Sequence, residues 1–254
     1  MTNQDTINTN MNKWLKIEDN KNNHKRKALE NASTVFDDND AFTVNTLEAI
    51  YGQESSFGDK LSKRGIDGPS GDFQLTTKVV ARYSKTKITA KNDIRHDVDN
   101  ASNIAARYLA DLNKLFSENS TLIKPTQISE GRFATAILDI NERKLFVIAA
   151  YNAGEGRIAQ AQMEAEKDGK DTTKWEIVKE YLKAAGSTDA KVKEITEYVE
   201  KVSAYEKEFS KKSKANKKLK DKPPKKVSNN DSVDGHWITL NDGRHIFIGN
   251  KKFD

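Results

Sequence analysis

The chain has 254 residues, 35% of them hydrophobic and 32% charged, and no cysteine. Apolar content is lean, so part of the chain is expected outside a core; disulfides and Cys-ligated metal sites are excluded, and no run of about 18 apolar residues offers a membrane span. The formal charge of +5 is uneven, with 30 Lys+Arg against 32 Asp+Glu in residues 1–206 and 13 against 6 in residues 207–254, so the basic character belongs to the tail and gives no support to nucleic-acid binding by the body.

Residues 1–40 read as a polar, Asn/Asp-rich segment. Met1–Asn12 lacks the basic-then-apolar pattern of a signal peptide, and a short helix fits around Trp14, Leu15 and Ile17. Asn39 or Asp40 is expected to cap a helix through Gln53, with Phe42, Leu47, Ile50 and Tyr51 at helical spacing. Residues 58–71 hold Gly58, Gly65, Gly68, Pro69 and Gly71 and read as loop. Helices are expected over Phe73–Tyr83, about Val98–Phe116, 131–152, 155–167, 173–185 and 190–209. The second of these has the clearest apolar face, in Ile104, Tyr108, Leu109, Leu112, Leu115 and Phe116. Strand signals are nearly absent before residue 230.

Lys207–Lys226 carries ten Lys, with only Glu208 and Asp221 against them, and contains Pro223-Pro224. It reads as a helix end running into an extended linker. After it, His236–Leu240 and Arg244–Ile248 flank Asn241-Asp242-Gly243, the pattern of a β-hairpin.

Glu54 carries the sharpest chemical signal. An apolar helical run, Leu47 to Gln53, ends on this carboxylate, and a small polar turn follows. Burial disfavours the charged form and raises the pKa, which is what a general acid for glycosidic cleavage needs.

Three blocks stand in order: Glu54-Ser55-Ser56-Phe57, then Gly68-Pro69-Ser70-Gly71-Asp72-Phe73-Gln74, then Ala150-Tyr151-Asn152-Ala153-Gly154. They resemble the Glu-Ser-x-Phe, Gly-x-x-Gly-x-x-Gln and Ala-Tyr-Asn-Ala-Gly motifs of SLT-type lytic transglycosylases, a goose-lysozyme-like family. Asn103–Leu109 and Tyr198–Val202 resemble two further helices of that family, so the likeness spans roughly residues 42–205. Where the family has Met and then Pro after the Gln, this chain has Thr76 and Thr77.

The resemblance implies a mainly α, lysozyme-like domain over 41–206, preceded by the polar segment 1–40 and followed by a Lys-rich linker, 207–232, and a β-hairpin tail, 233–254. It implies cleavage of the MurNAc–GlcNAc bond of peptidoglycan with a 1,6-anhydro product and no cofactor. Glu54 would be catalytic, and Ser55, Gln74, Tyr151 and Asn152 would bind substrate. Two alternatives stay open, a water-using lysozyme and a noncatalytic wall-binding or virion module. A hydrolase needs a second carboxylate, for which Asp59, Asp67 and Asp72 are candidates.

His24, His96, His236 and His245 show no metal-ligand spacing, and no local signature supports a Ser-His-Asp triad. The expected partner is the glycan strand, with no specific nucleic acid. The tail, which resembles a short motif of phage head-morphogenesis proteins, is expected to dock on a virion or secretion-machine protein. With no signal peptide read, delivery to the cell wall by a phage particle is the expectation.

Overall fold

The computed structural model describes residues 3–18, 23–37, 41–124, 127–220, 235–239 and 245–249. Nine α-helices, two short 3-10 turns and two antiparallel strand pairs occur among them, so the expected mainly α class holds. No helix among the described residues is long and apolar enough to cross a membrane. The chain divides into two compact units, Met1–Ser213 and Lys214–Asp254.

The first forty residues are not merely a polar segment. They contribute helices α1 (Asn3–Glu18) and α2 (His24–Ser33) to the first unit. Ile7, Met11 and Trp14, spaced by four and three, bury one face of α1, and Ala28, Leu29 and Ala32 bury one face of α2. Both helices are fastened to α3 (Val44–Ser55) through Glu48, which is fully buried. The Trp14 indole N–H donates to Glu48 Oε1 at 3.0 Å, and the Arg26 guanidinium donates to the same oxygen.

Helix α3 begins one turn later than expected. Its cap is Thr43: the Thr43 hydroxyl accepts from the Asn45 N–H at 3.2 Å, and the Thr46 hydroxyl accepts from the Thr43 N–H at 3.0 Å. Asn39 and Asp40 lie outside the described residues. Phe42, buried just ahead of the cap, explains why the chain is already anchored there.

Helix α4 is Thr77–Tyr83, shorter than expected, because Thr76 caps it and Phe73–Leu75 are held in a turn closed by a Ser70–Leu75 bridge. Helix α5 (Val98–Ser117) matches the expectation, with Asp97 as its cap and Ile104, Tyr108, Leu109, Leu112 and Phe116 buried. It packs against α2, α3, α4 and α6 (Ile140–Ala153).

The expected helix over 131–152 is only half right. Strands β1 (Ser120–Lys124) and β2 (Gln127–Ala134) form a hairpin first, pairing Ser120 with Ala134 and Thr121 with Phe133, so strands do occur before residue 230. Buried Gln162 of α7 (Glu155–Lys167) ties down the exit from β2 by bonding both the N–H and the C=O of Thr135. Helix α6 starts where Asp139 caps it.

Residues 173–185 reduce to α8 (Trp175–Val178) and a 3-10 turn, and α9 (Asp189–Lys220) outruns its expected end. The expected linker is thus helical to Lys220, and its remainder lies outside the described residues. In the second unit β3 (Gly235–Thr239) pairs antiparallel with β4 (His245–Gly249), the expected hairpin, whose turn residues 240–244 are outside the described set.

The Gly-rich loop between α3 and α4 is built around one buried arginine. Arg95 is fully buried, and all five of its N–H donors are used. They reach both carboxylate oxygens of Asp93 at 2.7–2.8 Å and the carbonyls of Ile66, Gly68 and Leu75 at 2.8–3.1 Å. Burial pushes the Asp93 carboxyl up, but the bonds from Arg95 and from the Gly65 and Arg95 N–H groups outweigh it and hold it at about 2. Gly71, at φ +80°, lies so close to the Arg95 carbonyl that a Cβ would sit 1.9 Å from its oxygen. Arg95→Met should therefore cost about 3–5 kcal/mol, since it strands the Asp93 charge in the interior. Asp93→Asn combined with Arg95→Met should lose less. Urea denaturation of the three proteins measures both, and a loss below about 1 kcal/mol for Arg95→Met would show that the guanidinium does not hold the loop.

Candidate active site

Glu54 stands in the last turn of α3, a helix buried at Leu47, Ala49, Ile50, Tyr51 and Gly52. The chain leaves through Ser56, Phe57 and Gly58, all at positive φ (50°, 61° and 83°). Two of these are not glycine, and each costs about 1–2 kcal/mol in that conformation. What holds them is the Phe57 ring, fully buried and stacked on Trp14 at 4.5 Å. The ring lies against Gly52, where a Cβ would come within 2.6 Å of it.

The Glu54 carboxyl is half-buried. The Tyr198 hydroxyl, from α9, donates to Oε1 at 2.5 Å. Oε2 has no partner among the described residues and is not sealed from solvent. Burial pushes the Glu54 pKa up; the Tyr198 bond pulls it down; Glu194 raises it and Lys191 lowers it; the result is about 7. Tyr198 and Tyr151 are themselves pushed well above the usual phenol range, by burial first and then by the Glu54 charge, so both stay neutral donors.

Tyr151, near the end of α6, donates to the Phe73 carbonyl at 3.0 Å, which ties the third motif to the second. Gln74 adopts φ 45°, and its amide donates to the Gly71 carbonyl at 2.8 Å and accepts from the Ser62 hydroxyl at 3.0 Å. One N–H and one lone pair of that amide remain for a ligand. Asn152 donates to Glu194 Oε1 at 3.2 Å and accepts from Lys191 at 3.1 Å, linking α6 to the two α9 charges that act on Glu54.

Ser55, expected to bind substrate, is placed inside the turn. It is buried at 1% exposure, and its hydroxyl donates to the Asp72 carbonyl at 2.7 Å and accepts from the Gly58 N–H at 3.0 Å. It fastens the turn after Glu54. The sequence does not mark Tyr198 as a site residue. Its place in the fifth matching stretch was visible, but nothing local tells a core tyrosine from one that meets a carboxylate 144 positions away.

A groove of about 550 Å3 opens beside Glu54. Gln53 and Lys60 line it from the α3 end, Thr6 and Asn10 from α1, and Glu197 and Lys201 from α9. Gln74, Tyr151 and Asn152 are not among its lining residues.

None of the three candidate second carboxylates is free and facing Glu54. Asp59 is ion-paired with Lys13, Asp67 is exposed on the loop, and Asp72 is buried with Oδ1 accepting from the Tyr51 hydroxyl at 2.7 Å. Ser70, His96 and Asp93 do come together, but not as a triad. The Ser70 hydroxyl donates its one hydrogen to the Lys63 carbonyl, so the His96 Nε2, 2.9 Å away, must donate to Ser70 rather than accept from it. Asp93 Oδ2 is 4.0 Å from that same nitrogen and is already bonded to Arg95.

Glu54 thus stands half-buried at a groove of a helical fold, with Glu197 and Glu200 of α9 among the other lining residues. The family model described as the transglycosylase SLT domain matches residues 36–174, more than half of the chain, and the chain belongs to that family. Family membership implies peptidoglycan as the substrate and the cell wall as the place of action. No curated protein matches the chain. Glu54, Gln74, Tyr151 and Asn152 fall inside the matched span; Tyr198 and helices α1, α2 and α9 fall outside it.

The raised pKa has a sign that can be checked. The folded chain binds the Glu54 proton more tightly than the unfolded chain, whose value is 4.5. Its effect on stability is nil below that value, and stability falls as pH rises from there towards 7. Glu54→Gln stays neutral throughout, so it should match the parent at pH 4 and exceed it at pH 8 by on the order of 1–3 kcal/mol. Thermal denaturation at the two pH values tests this; equal stability at pH 8 would mean that Glu54 is not desolvated.

Proposed function

We propose that this protein is a peptidoglycan lytic transglycosylase in which Glu54 is the single acid and base. The observation that carries the reading is the Glu54 carboxyl itself, poised at about 7, with one oxygen held by Tyr198 and the other open. Near neutral pH such a group is protonated about half the time, which suits a residue that must give a proton and then take one.

In the first step Glu54 gives its proton to the bridging oxygen as the MurNAc C1–O bond breaks. The acetamido carbonyl oxygen of the same sugar bonds to C1 and stabilises the positive charge. In the second step the C6 hydroxyl oxygen attacks C1, the bond to the acetamido oxygen breaks, and the hydroxyl proton passes to Glu54. The acid is restored and a 1,6-anhydro ring is left, with no water consumed.

Tyr198 orients the carboxyl and steadies its charged form between the steps. Tyr151 donates to the Phe73 carbonyl beside Gln74, and Asn152 bonds both members of the Lys191–Glu194 pair, whose charges act on Glu54 in opposite directions. The engagement of Asp59 and Asp72 elsewhere supports a one-carboxylate reaction over a hydrolase with an in-place base.

Purified sacculi test the reading. The wild type should release muropeptides lighter by one water than their hydrolysed counterparts, as mass spectrometry reads directly. Glu54→Gln should lose at least about 100-fold in rate, whereas Asp72→Asn should keep activity if it folds. Products carrying an added water would make the protein a lysozyme, and no release at all would favour a noncatalytic wall-binding module.

The lysine-rich tail is assigned to attachment, with a virion protein as the expected partner. Its support is that Lys214–Asp254 forms a unit of its own while Glu54 and Tyr198 belong to the other. A chain ending at Ser213 should cleave soluble glycan chains within about two-fold of full length, and salt should weaken any electrostatic attachment of the full chain. Loss of activity in a folded, truncated protein would place the tail within the catalytic unit.

A further inference from the structure

Helix α1 precedes the span matched by the family model, yet it forms part of the groove beside Glu54. It has two working faces. Ile7, Met11 and Trp14 point into the core, while Thr6 and Asn10, one helical turn apart, line the groove. We propose that α1 supplies a subsite of the glycan groove, in which Thr6 and Asn10 bind the N-acetylhexosamine ring next to the bond cleaved at Glu54. The proposal rests on the reading of Glu54 as the acid that acts on this glycan.

A binding wall has to be rigid, and α1 is fixed to both neighbouring walls. On the α3 side the Trp14 ring stacks on Phe57 at 4.5 Å, meets Tyr51 edge-on at 5.8 Å and donates to Glu48 at 3.0 Å. Lys13 pairs with Asp59 in the turn after Glu54. On the α9 side the Asn10 amide donates to the Tyr205 hydroxyl at 2.7 Å. This bond orients Asn10 and leaves its amide oxygen without a partner among the described residues. The α1 backbone and the Asn10 side chain are therefore held in place without a ligand, which lowers the cost of binding.

The wall is polar: Thr6, Asn10 and Gln53 stand beside the charged Lys60, Glu197, Glu200 and Lys201. The amides of Asn10 and Gln53 offer donors and acceptors of the kind that ring hydroxyls and an acetamido group satisfy, and Thr6, which already has a partner, lines the groove beside them. The volume, about 550 Å3, lies within the usual range for small-ligand sites. Phe57 joins the two halves of the site, because the ring that fixes the turn after Glu54 is also the ring on which α1 rests.

The test uses the full chain carrying Glu54→Gln, so that binding is read without turnover. The probe is a peptide-free, soluble chain of alternating GlcNAc and MurNAc, followed by calorimetry. Thr6→Val, at an exposed position, and Asn10→Leu, at a half-buried one, keep side-chain size, and circular dichroism checks the fold. Each should weaken binding about 5–10-fold, the size of one hydrogen bond. Thr9→Ala, on the same helix but away from the groove, should leave affinity unchanged. With Glu54 intact, the two groove variants should raise KM while kcat stays within about two-fold, because they touch binding and not the proton.

Unchanged affinity and KM in the two groove variants, with a wild type that does cleave glycan, would overturn the α1 subsite and leave the proposed function standing. A rise in kcat/KM in the groove variants would show that α1 obstructs the groove, which also overturns the proposal. A wild type that neither binds nor cleaves the chain would overturn both readings.

Discussion

The site depends on how the chain leaves helix α3. Glu54 must be close enough to the interior to be desolvated, yet the next residues must turn away without covering it. Three consecutive left-handed residues achieve that turn, at a cost of about 1–2 kcal/mol for each of Ser56 and Phe57. Burying the Phe57 ring contributes about 2–3 kcal/mol, enough to offset much of the strain. The ring fits only because position 52 has no side chain and Trp14 closes over it. Ser55 then ties the turn to Asp72, and Asp72 in turn receives the Tyr51 hydroxyl. A single constraint, the placement of Phe57, thus reaches from the N-terminal helix to the Gly-rich loop.

Electrostatics at Glu54 are a balance in which burial wins by a limited margin. Burial alone would drive the carboxyl higher, and the Tyr198 bond brings it back. Lys191 and Glu194 oppose each other, and Asn152 bonds to both, so their effects stay paired. Asp93 shows the contrasting outcome. It is also buried, but Arg95 and two N–H groups bond it, and it is held at about 2. The difference is the number of donors: one for Glu54, whose second oxygen is left open, and several for Asp93. A carboxyl that must exchange a proton cannot be satisfied on every side.

Much of this was readable before the structure. The three motif blocks point to Glu54, Gln74 and Tyr151, and the strong apolar face of α5 marks its limits within a residue or two. The hairpin at 235–249 follows from its β-rich runs. What could not be read depends on contacts far apart in sequence. The β1–β2 hairpin was hidden because Phe133 and Ile137 also fit a helical period, and only Gln162, on another helix, settles the exit from β2. Ser55 sits in the motif beside Glu54, so nothing local separates a sugar contact from a bond to Asp72. The spacing of Ile7, Met11 and Trp14 was there to be seen as an amphipathic face, but Asn/Asp-rich surroundings obscured it.

Glu48 explains why those N-terminal helices are inseparable from the rest. A fully buried carboxylate is expensive to desolvate, and it is tolerable only with good partners. Its partners include Trp14 from α1 and Arg26 from α2, so α3 reaches its native environment only when both helices have docked. Glu48 lies six residues before Glu54 on the same helix. The Phe57 ring that packs on Gly52 of this helix also stacks on Trp14 of α1, so α1 meets α3 both at Glu48 and at the turn after Glu54. The matched family span begins at residue 36, after both helices. In this chain, the helices α1 and α2 that hold Glu48, and the α9 residues that act on Glu54, lie outside that matched span.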